Sequence, residues 1–352
     1  MNTTQETLVP GRAQASLPTK NRQVTLAARP DGEPQESHFA IVESPMPRPA
    51  DGEVLVRSLW LSLDPYQRGR MSKSRSYASP VGIGEVMFAQ AIGEVTESRS
   101  PRLAPGEIVL GAFGWQEYAT APAHTLRRLD ENATPITTAL HVLGITGLTA
   151  YFGLFDIGRP RPGDTVVVSA AAGGVGQIVG QLAKLTGCHT VGITGSQEKV
   201  DDVLNRYHYD AGVDYKNEDV SKALTRECPA GVDVYFDNVG GPVSAAVHRH
   251  LAFGARIVVC GQIAEYNQVP PRGGPDSLRF LIINRARMEG FLVTDYTQRY
   301  KAALSRLSRW YSEGKLAYRE DIVVGLDQAP RAFIGLLRGE NRGKLLIKVA
   351  DR

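Results

Sequence analysis

The plainest chemistry in this chain belongs to a run of glycines. Val166-Val167-Val168-Ser169 has the unbroken apolar character of a buried strand, Ala171-Ala172-Gly173-Gly174-Val175-Gly176 follows, and Gln177 to Leu185 reads as helix. Gly173, Gly174 and Gly176, with Val175 between them, let a backbone approach a pyrophosphate closely. The helix behind them aims free N–H groups and its positive dipole end at that charge. The strict G-x-G-x-x-G pattern is absent, because Val179 takes the last place. The context of strand before, helix after and further strand–helix units downstream carries the assignment. Gly180 lies one turn later, where a small residue lets the helix pack tightly on the strand.

A dinucleotide site needs a second element. NAD sites usually place Asp or Glu about 20 residues on, at the end of the second strand, to hold ribose hydroxyls. Here that strand ends Ile193-Thr194-Gly195-Ser196, with no carboxylate. Lys199 follows within a helical turn, and Ser196 is placed both to cap that helix and to bond a phosphate. This pattern points to the 2′-phosphate of NADP. Glu198 is a complication, since it would repel the phosphate if it pointed inward.

Other chemistries find less support. Cys188, Cys228 and Cys260 are far apart and none belongs to a Cys-x-x-Cys pair, so a four-Cys zinc site cannot form. His248-x-His250 is the only close His pair and falls on an expected helix. The sequence therefore predicts no metal. Tyr311 and Lys315 have the Tyr-x-x-x-Lys spacing of short-chain dehydrogenases, but they lie at a helix end after the nucleotide segment, where that spacing has no catalytic meaning.

The elements around these residues form two domains. In 352 residues, 42% are hydrophobic and 22% charged, with a net charge of +3. That balance argues against nucleic acid or a charged membrane surface as partner. No apolar run is long enough for a transmembrane helix. Met1 to Lys20 is polar and aperiodic, and reads as a flexible tail without a signal pattern. With three isolated cysteines, a reducing cytoplasm is the expected setting. From 21 to 136, short strand-like runs between Gly/Pro breaks predict a small β-barrel. From 137 to 314, strands alternate with helices, which predicts a doubly wound parallel sheet. Residues 315–352 return to the first domain.

The chain resembles the zinc-independent medium-chain reductases, in the branch of curcumin, prostaglandin and 2-alkenal reductases. The carrying motifs include LSLDPYQRGRM (61–71), GWQEYA (114–119), GITGLTAYFGL (144–154), AAGGVGQIVGQLAK (171–184), FDNVGG (236–241) and GENRGKLLIKV (339–349). The resemblance implies an α/β fold made of a GroES-like β-barrel catalytic domain and a Rossmann domain. It also implies NADPH as cofactor and a homodimer. The activity implied is metal-independent hydride transfer to the β-carbon of an α,β-unsaturated ketone or aldehyde. Lys199 and Tyr215 match the family's 2′-phosphate pair, with Ser196 beside them. Asn238, Phe291 and Val293 match residues along the nicotinamide half, and Asn341 the asparagine that closes over the cofactor. Tyr66 and Tyr266 match tyrosines of the substrate cleft.

Negative charge developing on the substrate's carbonyl oxygen needs hydrogen-bond donors. Tyr266 and Tyr66 are the candidates. Gln67 departs from the family's common Met, and the segments after Met71 and after Gly261 are idiosyncratic, so they are expected to shape the pocket. Two rivals remain: a quinone reductase of the same architecture, and a non-catalytic NADPH-binding protein.

Overall fold

The computed structural model describes residues 18–130, 135–269 and 278–352. Most of the expected tail therefore lies outside the described residues. Lys20 already opens the first strand.

The β-rich domain begins with a ribbon of β1 (Lys20–Leu26) and β2 (Phe39–Pro45). Its main sheet contains β3 (Glu53–Ser62), β4 (Ala91–Ser98), β5 (Ile108–Gly111), β6 (Tyr118–Pro122) and β7 (Arg127–Arg128), with neighbours antiparallel. Ribbon and sheet share one core, in which Val24, Val56, Trp115 and Phe333 are buried together.

The nucleotide-type domain holds β8 (Thr165–Ser169), β9 (His189–Thr194), β10 (Ala211–Asp214), β11 (Val232–Asp237), β12 (Leu251–Val259) and β13 (Arg287–Gly290). All pair in parallel, in the order β10-β9-β8-β11-β12-β13. At its centre β8 is buried on both faces, which explains why that strand is apolar throughout rather than alternating. Val166 and Val168 pack into one core layer and Val167 into the other. This is the doubly wound arrangement expected.

The chain then returns. β14 (Glu320–Val324) lies parallel to β15 (Lys344–Lys348), and β15 pairs antiparallel with β3. No helix among the described residues is long and apolar enough to cross a membrane.

Three local readings are corrected. The apolar run RMEGFLVTD has the composition of a single strand but is not one: β13 stops at Gly290, and a turn in which Asp295 N donates to Leu292 O leads into a 3-10 helix, Val293–Arg299. That departure carries Phe291 and Val293 off the sheet end. The four-residue β10 went unread because it is too short to show a period. The returning segment, expected to resume a domain of short strands, also contains a helix, Ala329–Leu337, whose Phe333 and Ile334 face the core.

Candidate active site

The glycine turn takes its shape from contacts that only glycine permits. A Cβ on Gly176 would stand 2.3 Å from Ala170 O, and one on Gly180 would stand 1.9 Å from the Tyr209 ring. Tyr209 closes the motif by donating from its hydroxyl to Gly176 O at 2.6 Å. The helix Gly176–Leu185 starts without a side-chain cap. Its end opens on a cleft of ≈ 830 Å³ between the two domains, lined by Gly173, Gly174, Val175 and Gly176. An uncapped helix end in a cavity is a site for an anion.

Lys199, Tyr215, Asn238, Phe291, Val293 and Asn341 also line this cleft, as do Tyr66 and Tyr266. Ser196 does not: its hydroxyl caps the helix Gln197–Asp201 by accepting from Lys199 N at 3.4 Å. Lys199 is half-buried, and its Nζ donates to Gly339 O at 2.6 Å. Burial, reinforced by the nearby Lys216, lowers its pKa. Glu198 is exposed and paired with Arg342, N to O 3.6 Å, so its charge does not stand alone beside the phosphate position. Arg342 also makes two bonds to buried Asp202, at 2.5 and 3.0 Å. The C-terminal segment is thereby clamped on the helix that carries Lys199. Tyr215 lies against Gly195, its ring carbon 3.0 Å from where a Cβ would sit. The uncapped helix, the glycine cradle, the free end of β9 and the half-buried lysine together fit a dinucleotide bearing a 2′-phosphate.

Asn238 is positioned by buried Asp237, which accepts from Tyr235 Oη (2.9 Å), Ser169 Oγ (3.1 Å) and the N–H groups of Val239 (2.9 Å) and Gly240 (3.0 Å). Asn238 Nδ2 donates to Ser169 O at 2.8 Å. The backbone carbonyl of Asp237 accepts from Cys260 and Gly261 N–H, at 2.8 and 3.1 Å. That pairing sends the chain after β12 across the cleft, where Tyr266 stands. The Tyr266 hydroxyl accepts from Gln262 N–H at 3.4 Å, which leaves its own proton available. Burial raises the pKa of both Tyr266 and Tyr66, so both stay protonated donors at neutral pH.

Tyr66 sits on a single turn after β3. Gln67 holds that turn rather than the pocket. It is fully buried, donating to Ser62 O (3.1 Å) and Phe88 O (2.9 Å) and accepting from Asp64 N–H (3.1 Å). Lys344 of β15 adds bonds to Leu63 O (2.8 Å) and Asp64 Oδ1 (2.5 Å). Arg68 ties the same turn to the segment after β12, donating to Asn267 Oδ1 at 2.9 Å. Arg70, Tyr77 and Phe88 also line the cleft. Sequence reading missed them because no local pattern distinguishes them.

Among the described residues, no group of three His, Cys, Asp or Glu side chains comes together as a metal site. His250 pairs with Ser221 Oγ at 2.6 Å, while His248 lies edge-on to Tyr235. Lys315 pairs with Glu313 at 2.8 Å, and neither it nor Tyr311 lines the cleft.

Two family models match the chain: one described as the N-terminal domain of oxidoreductase over residues 22–129, and one described as zinc-binding dehydrogenase over 174–309. The NADPH-dependent curcumin reductase of Escherichia coli is 43% identical over 94% of this chain and 97% of its own length. The NADP-dependent 2-alkenal reductase of Nicotiana tabacum is 40% identical over 94% of this chain and 98% of its own length. The crystal structure of CurA in complex with NADPH from Vibrio vulnificus superposes with a TM-score of 0.91 at 44% identity, covering 94% of this chain and 100% of that one.

Proposed function

Because the chain belongs to the zinc-independent medium-chain dehydrogenase/reductase family, we propose that it is an NADPH-dependent reductase of the carbon–carbon double bond in α,β-unsaturated ketones and aldehydes. One observation carries the reading: a glycine cradle with Lys199 and two protonated tyrosines, Tyr266 and Tyr66, line a single cleft. The cofactor, when bound, supplies hydride to the substrate's β-carbon. Gly173 to Gly176 hold its pyrophosphate, Lys199 and Tyr215 the 2′-phosphate, and Asn238, Phe291 and Val293 the nicotinamide side, with Asn341 closing over the cofactor. Tyr266, with Tyr66 opposite, donates a hydrogen bond to the carbonyl oxygen as negative charge gathers there. One missing donor of this kind costs on the order of 10²-fold in rate.

The test follows NADPH consumption with an alkenal, with a quinone and with neither, and identifies the product. A saturated carbonyl supports the proposal. Turnover of the quinone alone overturns it in favour of a quinone reductase, and NADPH binding without turnover in favour of a binding protein.

Metal independence is part of the proposal, since among the described residues no His, Cys, Asp and Glu side chains come together as a ligand set. Exhaustive chelation is expected to leave the rate unchanged. A loss restored only by zinc refutes this.

The homodimer is proposed through β13. It is one of the two edge strands of the parallel sheet among the described residues, and edges with unpaired N–H and C=O groups invite a second chain. Beside it Phe253, Ile282 and Ile283 are 74%, 80% and 56% exposed. Covering one such side chain contributes about 1.5–3 kcal/mol. Ile282→Glu is therefore expected to weaken the dimer at least tenfold, read as mass by light scattering across a dilution series. A monomeric parent protein refutes the interface.

A further inference from the structure

We infer that Arg70 forms a subsite for a carboxylate at the far end of the substrate, so that acidic enones are the preferred substrate class. The inference rests on the reductase reading above and names its substrate class.

It comes from the charges that line the cleft. Asp64 and Lys344 neutralise each other at 2.5 Å. Arg338 pairs with Glu33 at 2.6 Å. Lys199 stands at the nucleotide end. Its Nζ donates to a backbone carbonyl, Gly339 O, and away from that end Arg70 is the lining charge with no carboxylate partner among the described residues.

Its position is nevertheless built. The guanidinium carbon lies 4.0 Å over the Phe88 ring, a stacked arrangement that orients the plane without consuming its N–H groups. One hydrogen bond, from Nη1 to Ser79 O, is long at 3.4 Å. A guanidinium has five donors in a rigid fork that matches a carboxylate bidentately. Nε is buried with no acceptor among the described residues.

The subsite adjoins the chemistry. Tyr66 packs edge-on to the same Phe88, with ring centroids 6.3 Å apart. Burial and Asp64 raise the Tyr66 pKa, and Arg70 is near enough to oppose that rise. A carbonyl bonded at the tyrosines therefore directs its remaining chain past Phe88 to Arg70. The exposed Tyr77 flanks the exit.

The test uses enones CH3CO–CH=CH–(CH2)n–COO⁻, with n from two to six, and the methyl ester of each. The acid-to-ester ratio of kcat/KM is measured for the parent protein, Arg70→Met and Arg70→Lys. The expected ratio in the parent is above ten for at least one chain length. It falls at least tenfold in Arg70→Met and is partly kept in Arg70→Lys. The acid's KM should also rise with salt, as screening of an exposed ion pair requires. A ratio near one at every length, or one unchanged by Arg70→Met, overturns the inference. If neither acid nor ester is reduced, the reductase reading fails on its own. Calorimetry of the saturated keto acids against their esters, on the protein with NADP⁺, then decides Arg70 by the same ratio of affinities.

Discussion

Replacing Lys199 with alanine is expected to weaken NADPH binding roughly 10- to 100-fold and to leave NADH binding nearly unchanged. A hydrogen bond to a charged group contributes about 1.5–3 kcal/mol, and each 1.4 kcal/mol is about tenfold in affinity. No carboxylate follows Thr194 to prefer a ribose hydroxyl, so the lysine carries the discrimination. Lys199 also donates to Gly339 O across the domain boundary. Loss of that bond alone would disturb both cofactors alike. Titration of protein fluorescence with each cofactor therefore separates the two roles. A selective loss identifies a phosphate reader, and equal losses identify a domain contact.

Tyr266→Phe is expected to lower kcat at least tenfold, equivalent to about 1.4 kcal/mol of barrier, with NADPH affinity nearly constant. The substitution keeps the ring in the cleft and removes only the donor. Gln262 N–H points at the hydroxyl oxygen rather than competing for its proton. Burial keeps the phenol protonated. An interaction made only in the transition state lowers kcat and kcat/KM together. Steady-state kinetics decides this: a rise in KM alone makes Tyr266 a binding residue. Tyr66→Phe is expected to do less, because Tyr66 approaches from the β-rich domain as a wall packed against Phe88.

The cofactor half of the cleft was legible because it is local. Strand, glycine turn and helix occupy consecutive residues, and the free end of β9 lies a fixed distance beyond. The substrate half was not. Arg68 and Asn267 are 199 residues apart, yet they bond to join the Tyr66 turn to the segment that carries Tyr266. No periodicity encodes such a meeting. Tyr66 and Tyr266 were reached only through family resemblance, and Arg70, though it lies inside LSLDPYQRGRM, has no local pattern that marks it. Ser196 shows the opposite limit. Its type suited both a cap and a phosphate contact, and three-dimensional placement shows the cap, with the hydroxyl accepting from Lys199 N–H.

The bond between Lys344 and Asp64 has a consequence for how the protein is made. The two residues are 280 positions apart, and the whole parallel-sheet domain lies between them. At about 5–20 residues per second, Asp64 leaves the ribosome roughly 15–60 s before its lysine exists. During that interval β3 lacks the partner strand β15. The intervening domain is contiguous and can close first, while the β-rich domain waits with an open edge. The substrate cleft, whose Tyr66 turn is tied down by Lys344, is thus among the last parts of the nascent chain to take shape.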